Sequence, residues 1–218
     1  MKQDRRTFIA SAGTIAATAI AGCSQISSDR PLEFESTPAR VPEDTLGETG
    51  YEETDTEAIE VERTFDIGGE ERTVTVTNQR VAYEKEIRAE IELPEALPGV
   101  VFTTLTTPSV EILGQEANPV ADMSNEELLD RGRDRYGGLE NVAVDGEDTV
   151  TVLGETTTRT RFAAEAQFGE TAVDVYIHLS NPVESDGDFI VGAGAHPQLL
   201  ADEESTVVSM IEAIRHEG

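Results

Sequence analysis

The chain has 218 residues, with 44 acidic and 16 basic side chains and a formal net charge of −28. This balance argues against nucleic-acid binding, because affinity for phosphates comes from lysine and arginine. Cys23 is the only cysteine, so the sequence beyond it excludes disulfides, thiol catalysis and cysteine-based zinc sites.

The first 22 residues have the features of an export signal. Lys2, Arg5 and Arg6 precede an uncharged run at 8–21 that consists mainly of small apolar residues. This run is shorter than the roughly 20 residues that a helix needs to span a bilayer. A charged start, a short apolar segment and small residues before a cleavage point are typical of a secretory signal. The alternative is a buried N-terminal helix, although such a helix would normally carry a polar face.

The arginine pair Arg5-Arg6, followed by Thr7-Phe8-Ile9, resembles the twin-arginine export signal. Two positions depart from that pattern, Asp4 and Ala10. The resemblance implies export by the route that carries folded proteins.

The segment Ile20-Ala21-Gly22-Cys23 resembles a prokaryotic lipoprotein box. The resemblance implies cleavage before Cys23, a lipid on its sulfur and a short lipidated tether at 23–30. The membrane is then a partner through this anchor, and the chain is placed on the extracytoplasmic face of the cell membrane. Two lipid chains would anchor the protein stably, whereas one would not. The alternative is that Cys23 is only a small residue near a cleavage site.

Lysine is scarce in this chain, which has only Lys2 and Lys85 against 14 arginines and no tryptophan. Acid excess, scarce lysine and many small apolar residues resemble the proteins of halophilic archaea. At molar salt the Debye length falls to about 3 Å, so repulsion between carboxylates is largely screened. The alternatives are an acidic disordered chain or a calcium-binding one. A hydrophobic fraction of 38%, patterned into strands, favours a folded domain.

Residues 31–218 are predicted to form a single α+β domain, with a seam near the prolines at 94–99. The first half predicts a strand at 32–41, a helical turn and loop at 43–57, and a long hairpin from 59 to about 89 around Gly68-Gly69. We expect 100–105 and 110–113 to form another strand pair.

The second half begins with a capping box, Ser124 to Glu127, that predicts a helix ending at Gly137-Gly138. A strand is expected at 149–153, followed by the clearest hairpin, 159–168 with 171–179. Further elements are a strand at 188–195 and a helix at 203–215. The predicted fold is therefore an antiparallel sheet with two main helices packed on it.

The layout from Val100 to Ile214, with a capped helix, a long meander and a closing helix, is similar to the PsbP-like fold. This resemblance implies an accessory or assembly role, since members are often lipid-anchored and mostly lack enzymatic activity. The whole chain also resembles haloarchaeal lipoprotein families that have no assigned function.

The hairpin at 159–179 carries a candidate binding face. If its turn has two residues, Arg161 pairs with His178, Ala163 with Tyr176 and Glu165 with Asp174. Alternate residues share a face, so one face is apolar and the other polar. The polar candidates are Arg159, Arg161, Glu165, Asp174, Tyr176 and His178. The alternative is an ordinary solvated face with cross-strand charge pairs.

The remaining motifs give no indication of a cofactor, a metal site or a catalytic residue, and we expect none. Three histidines without close spacing do not suggest a zinc site, and His216 is expected in a frayed C-terminus. Asp186-Gly187-Asp188 favours a plain turn over a calcium loop, and Gly192-Ala193-Gly194 favours close backbone packing.

The sequence therefore predicts a lipid-anchored lipoprotein with a non-enzymatic accessory or binding role, with another envelope protein as a candidate partner. Its candidate contact surfaces are the polar hairpin face and the acidic segment 43–57. The alternative is a small-molecule or cation binder, or a hydrolase, that uses Arg161, Tyr176 and His178.

Overall fold

The computed structural model describes residues 32–67, 70–86, 99–112, 115–136, 138–168 and 171–217. The export signal, Cys23, the tether and most of the seam at 94–99 lie outside the described residues. Gly68-Gly69, the predicted turn of the first hairpin, lies outside them as well.

One sheet dominates the described part of the chain. Its nine strands are β1 (Leu32–Glu35), β2 (Glu52–Ile67), β3 (Glu70–Lys85), β4 (Val100–Pro108), β7 (Leu139–Val152), β8 (Glu155–Phe168), β9 (Thr171–Ser180), β10 (Val183–Ser185) and β11 (Asp188–Pro197). A separate two-stranded sheet pairs β5 (Glu111–Ile112) with β6 (Gln115–Glu116).

The long strands lie in the order β3-β4-β11-β9-β8-β7, and β2 pairs with β3. Every pair in this series is antiparallel. β1, however, runs parallel to β3, so the sheet is mixed and not purely antiparallel as expected.

Three α-helices flank the sheet, namely α1 (Glu43–Thr49), α2 (Asn125–Tyr136) and α3 (Glu203–Ala213). A short 3₁₀ helix covers Pro119–Asp122. The architecture is α+β, as predicted, although the sheet outweighs the helices. Within the described residues, no helix is both long enough and apolar enough to cross a membrane.

The two faces of the sheet build separate cores. On one face, α3 packs Val207, Met210 and Ile211 against side chains of the sheet that include Phe102. On the other face, Leu129 of α2 packs on alternate residues of the central strands, among them Phe162, Ala164, Val175, Ile177 and Leu179. The predicted apolar side of the hairpin is therefore confirmed as core.

Several local predictions are confirmed. Ser124 and Glu127 form the reciprocal capping box, with backbone-to-side-chain hydrogen bonds of 3.0 and 3.3 Å. A Cβ on Gly194 would lie 2.5 Å from Cγ1 of Val207. The glycine therefore allows α3 to approach β11 closely.

Other local predictions are wrong. The first strand ends at Glu35, and residues 52–57 belong to β2, not to a loop. Residues 100–105 lie in β4, which pairs with β3 and β11 and not with 110–113. β7 begins at Leu139, ten residues before the predicted start at Thr149.

Candidate functional site

Four neighbouring strands place polar side chains on the face that α3 covers. β8 contributes Arg159 and Arg161, and its predicted pairing with β9 is confirmed at every position, including Arg161 opposite His178. Tyr176 pairs with His196 of β11. We call the connected set the buried polar network after its three buried members, Arg159, His178 and His196. Its other members are the half-buried Arg161 and Glu204 and the exposed Asp145 and Asp148.

Arg159 lies at the centre of the network and is only 4% exposed. Its Nε and Nη2 donate to the two carboxylate oxygens of Asp148, its cross-strand neighbour in β7. Nη2 also donates to Oε1 of Glu204 at 2.8 Å. Nη1 lies 2.9 Å from Nδ1 of His178. One guanidinium thus joins two strands of the sheet to the first turn of α3.

Arg161 makes a second connection between the sheet and α3. It donates to Oε2 of Glu204 and, through Nε, to Asp145 at 2.8 Å. Its guanidinium carbon lies 4.8 Å from the ring centre of Tyr176, which is a cation–π distance. Both oxygens of Glu204 are therefore held by arginine.

His178 and His196 lie side by side, with ring planes 13° apart and 3.0 Å between their Nε2 atoms. They are 0% and 1% exposed. The Nδ1 of His196 is 3.0 Å from the carbonyl oxygen of Pro197. The edge of the His196 ring also meets Tyr176 at 5.8 Å between centroids.

The two ends of this chain of hydrogen bonds fix its direction. Arginine only donates, so Nδ1 of His178 must accept and the proton lies on its Nε2. That proton is donated to Nε2 of His196, whose own proton lies on Nδ1 and is donated to the Pro197 carbonyl. A carbonyl only accepts, so both ends require the same pair of neutral tautomers.

The pKa values agree with neutral imidazoles. Burial, followed by the charge of Arg159 and the neighbouring His196, lowers the pKa of His178 to about 3. Burial also lowers the pKa of His196, although the Pro197 carbonyl and the glutamates of α3 act in the opposite direction.

Two carboxylates of the network, those of Asp148 and Glu204, have lowered pKa values. The hydrogen bonds from Arg159 lower the pKa of Asp148. For Glu204, burial acts to raise the pKa, but the hydrogen bond from Arg159 and the charge of Arg161 outweigh it and the pKa is lowered.

This arrangement limits the chemistry of the network. Each histidine uses both ring nitrogens within the protein, so neither offers a free lone pair to a substrate. The guanidinium groups are paired with carboxylates. Among the described residues, no three histidine or acidic side chains converge on a position that could hold a metal ion.

The six predicted face residues lie along a gradient of burial. Arg159 and His178 are buried, Arg161, Glu165 and Tyr176 are half-buried, and Asp174 is exposed. The expectation of an ordinary solvated face is therefore wrong at the Arg159 end, because the first turn of α3 covers it.

Sequence reasoning missed Asp148, His196 and Glu204, although a signal was present. Glu204 precedes Val207 and Ile211 by three and seven residues, so it lies on the apolar side of α3. Asp148 shares a face with Val150, and His196 shares one with Gly194. A charged or polar residue in an apolar series can indicate a buried partner.

His216 also differs from its prediction. Its side chain is 0% exposed, and Nε2 lies 3.0 Å from Oδ2 of Asp188. The same carboxylate oxygen accepts from the backbone N–H of Thr37. Asp188 thus ties the C-terminal segment to the segment after β1, and the segment around His216 is not frayed.

Two clefts in the described part of the chain lie away from the network. One, of about 800 Å³, is lined by residues that include Lys85, Val100 and Glu203. Lys85 and Glu203 form an ion pair there at 2.6 Å. The other, of about 490 Å³, is lined by residues near Arg131 and Leu139. Neither is lined by Arg161, Tyr176 or His178.

Comparison with known proteins gives a family and a weak structural likeness. The chain is similar to the solution structure of cyanobacterial PsbP (CyanoP) from Synechocystis sp. PCC 6803, with 9% identity, a TM-score of 0.36, and coverage of 91% of this chain and 99% of that one. A resemblance this weak carries no argument about function. None of the curated proteins matches the chain. Residues 38–215 match the domain of unknown function DUF6517, and the chain belongs to that family.

Proposed function

We propose that this protein is a lipoprotein of a haloarchaeal cell envelope, held on the extracytoplasmic face of the membrane with a non-enzymatic accessory or binding role. In this proposal the twin-arginine signal directs export, residues 1–22 are removed, and a lipid on Cys23 anchors the domain. The N-terminal motifs support the placement.

The closed hydrogen bonding of the buried polar network carries the non-enzymatic part of the proposal. The described ring nitrogens of His178 and His196 are bonded within the protein, and both oxygens of Glu204 are bonded to arginine. A ligand that approached His178 would have to displace Glu204 and the first turn of α3. The geometry favours a clamp that fixes α3 on the sheet over a site that turns over a substrate.

Surfaces outside the network remain for a partner. Glu165 and Asp174 lie at the more exposed end of the hairpin face. The acidic segment 43–57 forms α1 and the start of β2, and most of its side chains are exposed. Arg40 and Arg80 neutralise three of its carboxylates, those of Glu53, Asp55 and Glu57. The partner in this proposal is another envelope protein.

The placement is tested by cell fractionation in a haloarchaeal host. The wild-type chain should be recovered from membranes, begin at Cys23 and carry the added mass of a lipid. Cys23→Ser should remove that mass and release the protein from the membrane, whereas the control Ser24→Ala should change neither. Replacing both Arg5 and Arg6 with lysine should stop export. Recovery of the wild-type chain from the cytosol, unlipidated and with its leader, would overturn the placement.

The halophilic part is tested by the salt dependence of folding. The excess of carboxylates repels itself in dilute buffer and is screened at molar salt. Circular dichroism should show a folded mature protein at about 3 M KCl and an unfolded one near 0.1 M. A thermal melt that is indifferent to salt over this range would contradict the proposal.

A further inference from the structure

The two buried histidines lie where α3 meets the sheet. His178 contacts Arg159 directly, and Arg159 holds Glu204 of α3. The charged and titratable groups that face the histidine pair come from every neighbouring element. They are Asp148 of β7, Arg159 and Arg161 of β8, Tyr176 of β9, and Glu203 and Glu204 of α3.

A proton added to either imidazole has no acceptor in this arrangement. On Nδ1 of His178 it would point an N–H at the guanidinium of Arg159, and on Nε2 of His196 it would point at the N–H of His178. The nearby carboxylate that could accept it, Glu204, is already bonded by two arginines. Glu204 makes no hydrogen bond to either imidazole among the described contacts, so an imidazolium could pair with it only if the side chain or the first turn of α3 moved.

We propose that His178 and His196 form an acid-sensitive latch, which holds α3 on the sheet while both imidazoles are neutral and releases it when either one takes up a proton. This device is independent of the lipid anchor and of any partner. It assigns the two histidines a regulatory role in the docking of the C-terminal helix.

The sign of the effect follows from proton linkage. The pKa of His178 falls from 6.5 to about 3 in the folded protein, and that of His196 is lowered too. Stability from each neutral histidine is therefore fully present above pH 6.5 and is lost as the pH falls below it. In that range the open state binds one more proton at His178, so opening increases by about tenfold per pH unit, and His196 adds to this increase in the same direction.

Carboxylates do not obscure this window. The pKa values of Asp148 and Glu204 are both lowered, so these groups stay ionised from pH 6.5 down to about 5. A change of the opening equilibrium in this pH range that disappears when His178 and His196 are replaced therefore comes from the histidine pair.

The first experiment observes the tautomers in the wild-type protein. Long-range ¹H–¹⁵N spectra at neutral pH should show a protonated Nε2 on His178 and a protonated Nδ1 on His196. Neither ring should titrate near pH 6.5 while α3 is docked. Ordinary titration of both rings, with α3 remaining in place, would overturn the proposal without any variant.

The second experiment measures the unfolding equilibrium between pH 6.5 and 5 in molar salt. Glutamine offers one donor and one acceptor but does not titrate, so His178→Gln and His196→Gln preserve the direction of the hydrogen bonds. The double variant should lose most of the wild-type change, which is about tenfold per pH unit for His178 and is increased further by His196. Asn125→Ala removes a neutral anchor on the other face of the sheet and should keep the wild-type dependence. Equal pH dependence in the double variant and the wild type would contradict the latch.

Discussion

The two faces of the sheet hold their helices by different chemistry. On one face, α2 is anchored by a neutral amide, because Nδ2 of Asn125 donates to Thr160 at 2.9 Å and to the Leu179 carbonyl at 3.1 Å. On the other, α3 is anchored by the carboxylate of Glu204 between Arg159 and Arg161. Both contacts lie at the first turn of the helix, beside an apolar core.

The two attachments differ in the kind of interaction that contributes to stability, which is neutral hydrogen bonding for α2 and ion pairing for α3. The neutral anchor contributes one or two ordinary hydrogen bonds, each worth about 1 kcal/mol. The charged anchor should be costlier to disrupt, since its hydrogen bonds join charged groups and Arg159 itself is buried. We therefore expect α3 to be more sensitive than α2 to substitution and to pH.

The largest effect is expected for Arg159→Met. It leaves Glu204 with one arginine and His178 without its donor, and it removes the bonds to Asp148. The free energy of unfolding should fall by about 2–4 kcal/mol, from the lost charged hydrogen bonds and from the buried Nδ1 of His178 that is left without a donor, as measured by denaturant titration in molar salt. The control Arg133→Met removes a solvent-exposed pair with Asp130 and a 3.3 Å hydrogen bond to the Leu139 carbonyl, and it should cost less than about 1 kcal/mol. Similar losses in both variants would show that the network contributes no more to the free energy of unfolding than an exposed ion pair does.

A smaller effect is expected where α3 touches β11. Gly194→Ala places a Cβ against Cγ1 of Val207, so the helix must shift, at a cost of about 1–3 kcal/mol. Gly47→Ala is the control, because nothing lies within 4 Å of the added methyl. In the interior of α1 it should stabilise by about 0.5–1 kcal/mol.

A double-mutant cycle distinguishes this contact from a general loss of stability. In a Val207→Ala background the clashing methyl groups are absent, so Gly194→Ala should cost less than in the wild type. Additive effects of the two substitutions would contradict close packing as the reason for this glycine.

On the α2 face, Asn125→Ala removes two hydrogen bonds from one buried side chain. The free energy of unfolding should fall by about 1–2 kcal/mol. Because neither partner titrates, this loss should be the same at pH 7 and at pH 5. A loss that varied with pH would show that the α2 anchor is coupled to ionisable groups.

The smallest effect is expected at the cap of α2. Ser124→Ala removes the hydroxyl that accepts from the backbone N–H of Glu127, at a cost of about 1 kcal/mol. Ser124→Asp keeps an acceptor at the cap and should recover most of this loss. Failure of that recovery would mean that the capping box does not stabilise the helix.

Local sequence signals predicted the parts of this fold that local geometry determines. The short turn and the alternation of β8 and β9 fixed the pairing of Arg161 with His178. The capping box marked the start of α2, and the spacing of Val207, Met210 and Ile211 gave the buried side of α3. Each signal lies within about ten residues of what it predicts.

Long-range pairings could not be obtained in this way. β4 lies between β3 and β11, and its pairing with β11 joins residues that are 80 or more positions apart. The approach of Glu204 to Arg159 depends on how α3 crosses the sheet, and no spacing in one sequence encodes that. The direction of the hydrogen bonds through the two histidines follows from the positions of Arg159 and the Pro197 carbonyl, and the sequence alone does not give those positions.

Hydrogen exchange of the two helices in one wild-type sample, followed from pH 7 to pH 5.5 in molar salt, tests the difference between the faces most directly. After correction for the intrinsic effect of pH on exchange, we predict that the amides of α3 lose protection by at least about tenfold while those of α2 keep theirs. An equal change in both helices, or none in α3, would contradict a proton-sensitive attachment of α3.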